Sequence, residues 1–190
     1  TFKKIQKNKN IRNIFCVAFL LQLFFSWMVI YTPLFLHNDI GFSWKELGVM
    51  FSVMLLPFVI LEAPLGKLAD TKWGEKEMLT AGFTIAGIAT LLMSFIGVKH
   101  LVLWTVILFI TRIGASMIEI MSETYFFKVT DADDVSIVGL YRTMRPIAYL
   151  AGPVLATVFL QLVDFRYLFL LLGLIMLYGL RFSTSIKDTL

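Results

Sequence analysis

Residues Ile14 to Leu36 read IFCVAFLLQLFFSWMVIYTPLFL, and none of them is charged. At about 1.5 Å per helical residue such a run is longer than the ~30 Å hydrocarbon layer of a bilayer. A second charge-free run, Met78 to Val98, meets the same requirement. Working outward, four more spans are readable at 47–68, which holds Glu62 and Lys67, and at 101–127, 137–163 and 165–182. The last has a short charge-free part, Tyr167 to Leu180, flanked by Arg166 and Arg181, which snorkel to opposite interfaces. A transmembrane β-barrel would alternate apolar and polar residues in segments of about ten, and these runs are apolar on every side. The expectation is an all-α membrane protein, a six-transmembrane-helix bundle over 14–182. A linker at 1–13 precedes it and a cytoplasmic tail at 183–190 follows.

Composition agrees. The chain is 58% hydrophobic and 16% charged, against roughly half and a quarter in an ordinary soluble domain. Its net charge of +4 follows membrane topology and forms no basic patch interleaved with aromatics, so no nucleic-acid partner is expected. The lone cysteine, Cys16, excludes an intramolecular disulfide. No phosphate loop of the form G-x-x-x-x-G-K-[ST] occurs, which excludes nucleotide hydrolysis by that mechanism. The spans hold no Ser–His, paired-Asp or His-Glu-x-x-His arrangement, and His37 and His100 have no metal-ligand spacing. Neither an enzyme, a metal site nor a cofactor is expected.

Lysine and arginine gather in cytoplasmic loops, and they fall into two unequal groups here. Lys3, Lys4, Lys7, Lys9, Arg12, Lys67, Lys72, Lys76, Lys128, Arg181 and Lys187 lie on one side of the six-span scheme. Lys45, Lys99 and Arg166 lie on the other, and Arg112, Arg142 and Arg145 fall within spans. Both termini are therefore expected in the cytoplasm, and dropping any one span would scramble the alternation. The basic, Asn-rich segment from Thr1 to Asn13 resembles a cytoplasmic linker more than a secretory signal, so further chain is expected before it.

Between spans two and three the sequence reads Gly66-Lys67-Leu68-Ala69-Asp70-Thr71-Lys72-Trp73-Gly74-Glu75-Lys76. This resembles the signature loop of the major facilitator superfamily: G-x-L-A-D, a basic residue, a spacer, then G followed by basic residues. Two departures stand out. Four steps rather than three separate Asp70 from Gly74, and Glu75 stands where a basic residue is usual. Such degraded copies suit the second half of that family's proteins. Physically, Gly66 permits close helix packing, Asp70 accepts from a helix N-terminus or pairs with an arginine, Gly74 turns the chain, and the lysines, Lys76 among them, hold the loop inside. The resemblance implies half of a major facilitator fold, two inverted three-helix repeats, working with an N-terminal six-helix half of the same polypeptide. It further implies a small-molecule substrate near the bilayer midplane, alternating access, and a gating role for this loop. The expected location is the bilayer of a bacterial inner (plasma) membrane.

Charges inside the spans carry the candidate site. Arg112, Ser116, Glu119 and Glu123 are spaced by four, three and four, which places them on one face of span four. A charge at the bilayer centre costs ~2.5–3.5 kcal/mol on insertion scales, so that face must look at protein or water. Arg142 and Arg145 begin span five, and outward from the intervening turn Glu123 matches the depth of Arg142 and Glu119 that of Arg145. Two interhelical ion pairs are one reading. The other is that one carboxylate exchanges a proton as coupling ion, since burial raises a carboxylate pKa and an adjacent arginine lowers it. Glu62 is read as a partner of the signature loop. Arg112, near the midplane, either binds an anionic substrate or fixes the bundle. Pro57, Pro146 and Gly152-Pro153 are expected to interrupt their helices. Trp27, Tyr31, Tyr141 and Tyr149 are candidates for a cavity wall, and Trp44 and Trp104 for the outer interfacial belt.

Two rivals to a transporter half are a complete six-helix transporter acting as a homodimer and a membrane-embedded sensor or assembly protein. The orientation is testable on its own. With Lys99→Cys, a membrane-impermeant maleimide is expected to label intact cells; with Lys76→Cys, only permeabilised ones. The opposite pattern inverts the topology.

Overall fold

The computed structural model describes residues 8–71, 73–130 and 135–187, with the side chains of 62 and 69–71 outside the description. Among the described residues all regular structure is helical, and six helical stretches are long and apolar enough to cross a membrane. Span one is α1 (Lys9–Asn38) and span two is α2 (Trp44–Met54) with α3 (Leu56–Thr71). Span three is α4 (Glu75–Met93) and span four is α5 (Leu101–Val129). Span five joins α6 (Val135–Arg142) to α7 (Met144–Leu160), and span six joins α8 (Arg166–Tyr178) to α9 (Leu180–Ser183).

Helix ends follow local chemistry more closely than apolarity does. Asn8 caps α1 by accepting from the backbone N–H groups of Asn10 and Ile11, so the helix starts inside the polar segment at 1–13. Gly41, at φ +86°, turns the chain after α1, and a Ser43–Glu46 capping box starts α2. Span three stops at Met93 although the charge-free run continues to Val98. Apolar sequence there runs past the helix into a loop with exposed Phe95 and Val98.

Three spans are interrupted, span six at Gly179 and two others beside prolines. Span two parts at Leu55, since Pro57 has no N–H to give Val53 and its ring crowds that carbonyl. Span five parts at Thr143 by the same argument applied to Pro146 and the Arg142 carbonyl. Gly152 and Pro153, in contrast, do not break the helix: α7 runs through both. Their unusual backbone serves packing. The Trp27 indole N–H donates to the Gly152 carbonyl at 2.8 Å and the Tyr31 hydroxyl to the Pro153 carbonyl at 3.2 Å. A Cβ at Gly152 would lie 2.5 Å from Ser26 Oγ, so only glycine lets spans one and five meet this closely.

The helix pairing has internal symmetry. Span one packs on span five as span four packs on span two, spans one and four pack together, and spans three and six pack together. Exchanging each span of the first three for its counterpart in the last three preserves these pairs. Successive spans alternate in direction, so span four is antiparallel to span one and the two three-helix repeats are inverted. The closest approach is between spans three and four. A Cβ at Gly114 would lie 2.5 Å from the Ala86 backbone nitrogen and 2.7 Å from the Gly82 carbonyl oxygen. Without side chains in the way, backbones reach the separation at which dispersion is strongest, which is how helices associate where lipid competes for apolar contact.

Spans two and five are the least enclosed. Leu55, Val59 and Ile60 on α2–α3, and Leu150, Val154 and Val158 on α7, present apolar side chains outward. Trp104, expected in an interfacial belt, is buried and donates to the Val98 carbonyl at 3.0 Å, whereas Trp44 is exposed. The difference is one of facing: in the first turn of α5 Leu101, Val102 and Leu103 are exposed, while Trp104 turns inward against Phe35 of α1.

Gly114→Val is expected to cost at least the ~1–3 kcal/mol typical of overpacking, because the obstruction is backbone. Gly97→Ala, where a Cβ meets nothing within 4 Å, should be near neutral. Thermal melting in detergent measures both.

Candidate functional site

Arg112 lies 11 residues into α5, about 16 Å along the axis from Leu101. Its residue is 2% exposed, and its Nε finds no hydrogen-bond acceptor among the described residues. The guanidinium sits 5.8 Å from the ring centroid of Phe24 and 5.5 Å from that of Phe25, both on span one. Aromatic faces attract a cation but do not replace its hydration. The charged head therefore retains unused donor capacity at mid-span.

Two clefts open beside it. The first, about 380 Å³, is walled by spans one, two, four and five and takes in Gln22, Phe25, Phe51, Phe58, Arg112, Glu119, Arg145 and Tyr149. The second, about 330 Å³, lies toward the end of the bundle that carries both termini and takes in Gln22, Glu119, Ser122, Glu123, Tyr141, Arg142 and Arg145. Gln22, Glu119 and Arg145 belong to both. Arg145 lies 5.8 Å from the Tyr149 ring, and Tyr141 stacks on Phe126 at 4.0 Å to close the floor of the second cleft.

The face read from the four-three-four spacing is thus real in its charged members. Arg112, Glu119 and Glu123 all open to these clefts, together with Arg142 and Arg145 from span five. Ser116 is buried and donates to the Ile113 carbonyl, so it takes no part. The expected ion pair between Glu123 and Arg142 does not form: both are exposed and no ion pair joins them. In a half-open cleft each is hydrated, which removes the penalty that would drive pairing. Glu119 and Arg145 share the wall between the clefts. Tyr141 and Tyr149 line the clefts as expected, but Trp27 and Tyr31 clamp the span-five backbone instead. Gln22 and Phe25 were missed. The one signal for Gln22 is that it is the only amide side chain in the run from Ile14 to Leu36.

The signature loop is partly described. The side chains of Asp70 and Glu62 lie outside the described residues, so their expected roles are not addressed. Gly66 packs against nothing: a Cβ there meets no atom within 4 Å, so close packing at this glycine is not used within the chain. Gly74 is the N-cap of α4 at φ −65° and ψ 164°, a conformation open to any residue. Lys76, in the first turn of α4, is half-buried. The departure at Glu75 acquires a physical reason. Glu75 is 1% exposed, and its carboxylate forms an ion pair with Lys128 at the far end of span four. A basic residue at 75 would bury a second cation against Lys128. The acidic residue in the first turn also suits the positive end of α4.

Comparison with known proteins places these features. Residues 14–184 match the model of the Major Facilitator Superfamily. The chain is similar to the "Probable sulfoacetate transporter SauU" of Cupriavidus necator (strain H16), with 26% identity over 156 residues covering 81% of this chain and 36% of that protein. The chain thus spans little more than a third of that relative's length.

Replacing Lys128 by methionine would take a cationic partner from a buried carboxylate. A loss of about 1–3 kcal/mol is expected, with Glu75→Gln in the same background restoring part of it. Thermal melting of the two variants checks this, and equal melting of Lys128→Met and wild type would remove the pair from the account.

Proposed function

This chain belongs to the Major Facilitator Superfamily, and we propose that it is the C-terminal six-helix half of a gradient-driven secondary transporter that carries a small organic anion by alternating access. Membrane transport of a solute is the coarse function that the family match and the transporter relative support. The anion goes beyond that coarse function, and one observation carries it. A guanidinium at mid-span, buried yet short of acceptors, faces a cleft large enough for a small solute. A cation so placed is costly unless an anion joins it. The first cleft holds Arg112 and Arg145 against the single carboxylate of Glu119, an excess of one positive charge. The relative's name specifies sulfoacetate, which bears a sulfonate and a carboxylate.

The half-domain reading rests on the walls. The clefts are open on the side of spans two and five, where Val59, Ile60, Leu150 and Val154 are exposed. An N-terminal six-helix half of the same polypeptide would cover that face and complete the cavity. Rocking of one half on the other would then expose Arg112 alternately to the two sides, with both termini cytoplasmic in a bacterial inner membrane. Gly66, Asp70, Gly74 and Lys76 would govern that motion and not substrate choice. Glu119 or Glu123 would take the coupling proton if the driving ion is H⁺.

The test is uptake of labelled sulfoacetate into proteoliposomes by the polypeptide that carries this chain. Arg112→Ala is expected to lower uptake at least tenfold while the protein still inserts, and Arg112→Lys to retain part of it, since a point charge survives without the planar fork. Wild-type uptake in Arg112→Ala would remove the anion reading. Loss of partner binding with no transport by either form would favour a membrane sensor.

A further inference from the structure

Glu119 stands between the two clefts, where its charge bears on both. Its side chain is the acidic part of the wall shared by the two clefts, with Gln22 and Arg145. On one side lies Arg112, on the other Glu123 and Arg142. It is only half-buried, so its carboxylate has room to turn. The charge in the two clefts differs. The first holds two arginines and one carboxylate; the second holds Arg142 and Arg145 against Glu119 and Glu123 and is balanced. Arg142 makes no ion pair among the described residues, so an arginine stands available on the far side of the wall.

We propose that Glu119 is a built-in stand-in for the substrate: its carboxylate neutralises the Arg112–Arg145 cleft when that cleft is empty and swings toward Arg142 when an anion enters. This rests on the anion-transport reading above and adds a mechanism to it. The device answers two physical problems together. An empty cleft would otherwise leave the dehydrated Arg112 facing it beside Arg145 with no anion between them, a costly arrangement at mid-span. An anion held by two arginines with no competitor would bind tightly in all states and leave slowly, and uniform tight binding does not speed turnover. A competing carboxylate lowers affinity in the loaded state and returns to expel the anion during release. Like-charge repulsion between Glu119 and the incoming anion drives the swing, and Arg142 receives the displaced charge.

The prediction separates this role from its rivals because the signs differ. A residue that merely holds the helices, or that helps bind substrate, weakens binding when neutralised. A competitor strengthens it. With the full polypeptide in detergent, Glu119→Gln is expected to bind sulfoacetate about tenfold more tightly than wild type by isothermal titration, and in proteoliposomes to turn over more slowly with a lowered KM. Glu119→Asp keeps the charge and should bind as wild type does. Unchanged or weaker binding by Glu119→Gln overturns the proposal and leaves the anion reading standing, provided Arg112→Ala still abolishes binding. Wild-type binding by Arg112→Ala overturns both. A second measurement needs no variant. Labelling of wild-type Glu119 by a hydrophobic carbodiimide, read by peptide mass spectrometry, should rise when sulfoacetate is added, since the carboxylate leaves the two arginines of the first cleft for the single, exposed Arg142. Protection or no change overturns the proposal.

Discussion

Spans three and four meet backbone to backbone at Gly82, Ala86 and Gly114, where an added Cβ would fall 2.5–2.9 Å from main-chain atoms. That contact puts span four at the centre of the bundle. Lipid offers an apolar side chain almost as good an environment as protein does, so burial alone gives these helices little reason to associate. Close approach of small residues supplies dispersion that lipid cannot match. With one side of α5 held against α4 in this way, its opposite side, bearing Arg112, Glu119 and Glu123, is aimed at the clefts beside spans one and five. The second close contact, Gly152 of α7 against Ser26 of α1, sets the other wall, and the Trp27–Gly152 hydrogen bond keeps it in register.

Charge placement follows from that framework. Arg112 is enclosed by the rings of Phe24 and Phe25 and looks into the cleft, while Arg142, Arg145 and Glu123 stay hydrated on its open side. One side chain is thus dehydrated and the others are not. The dehydrated one gains most from an incoming anion. The hydrated ones exchange partners at low cost, because water competes for them throughout. A cleft with this division is what the proposed passage of an anion requires. At the end of the bundle carrying the termini, the Glu75–Lys128 pair ties the start of span three to the end of span four. The bundle is stitched there a second time: Tyr125 donates to the Lys187 carbonyl at 3.0 Å, and the Lys187 N–H donates to Asn10 Oδ1 at 3.2 Å. Both ties act within these six spans, which suits a body that moves as a unit.

What the sequence determined by itself is whatever depends on one helix at a time. Charge-free runs such as Ile14 to Leu36 establish spans because a bilayer imposes a length, and a four-three-four spacing defines a face because a helix has a fixed period. Pro57 and Pro146 break their helices for reasons internal to the chain. The signature loop between spans two and three pointed to the family through a local pattern. Only the tertiary structure decided what each face meets. Gly152 and Pro153 read as a helix break and prove to be a docking point: the helix runs through both, and Trp27 and Tyr31, more than 120 residues away, donate to their carbonyls. Glu75 read as a departure from the pattern until Lys128 appeared beside it. Trp104 exchanged an expected interfacial position for the core because its side of α5 meets Phe35 of α1, and Gln22 acquired a cleft only once spans four and five came beside span one. Periodicity and length are written along the chain, whereas the partner of a side chain depends on which helices approach closely enough to meet, and that is set by small residues on spans one, three, four, five and six.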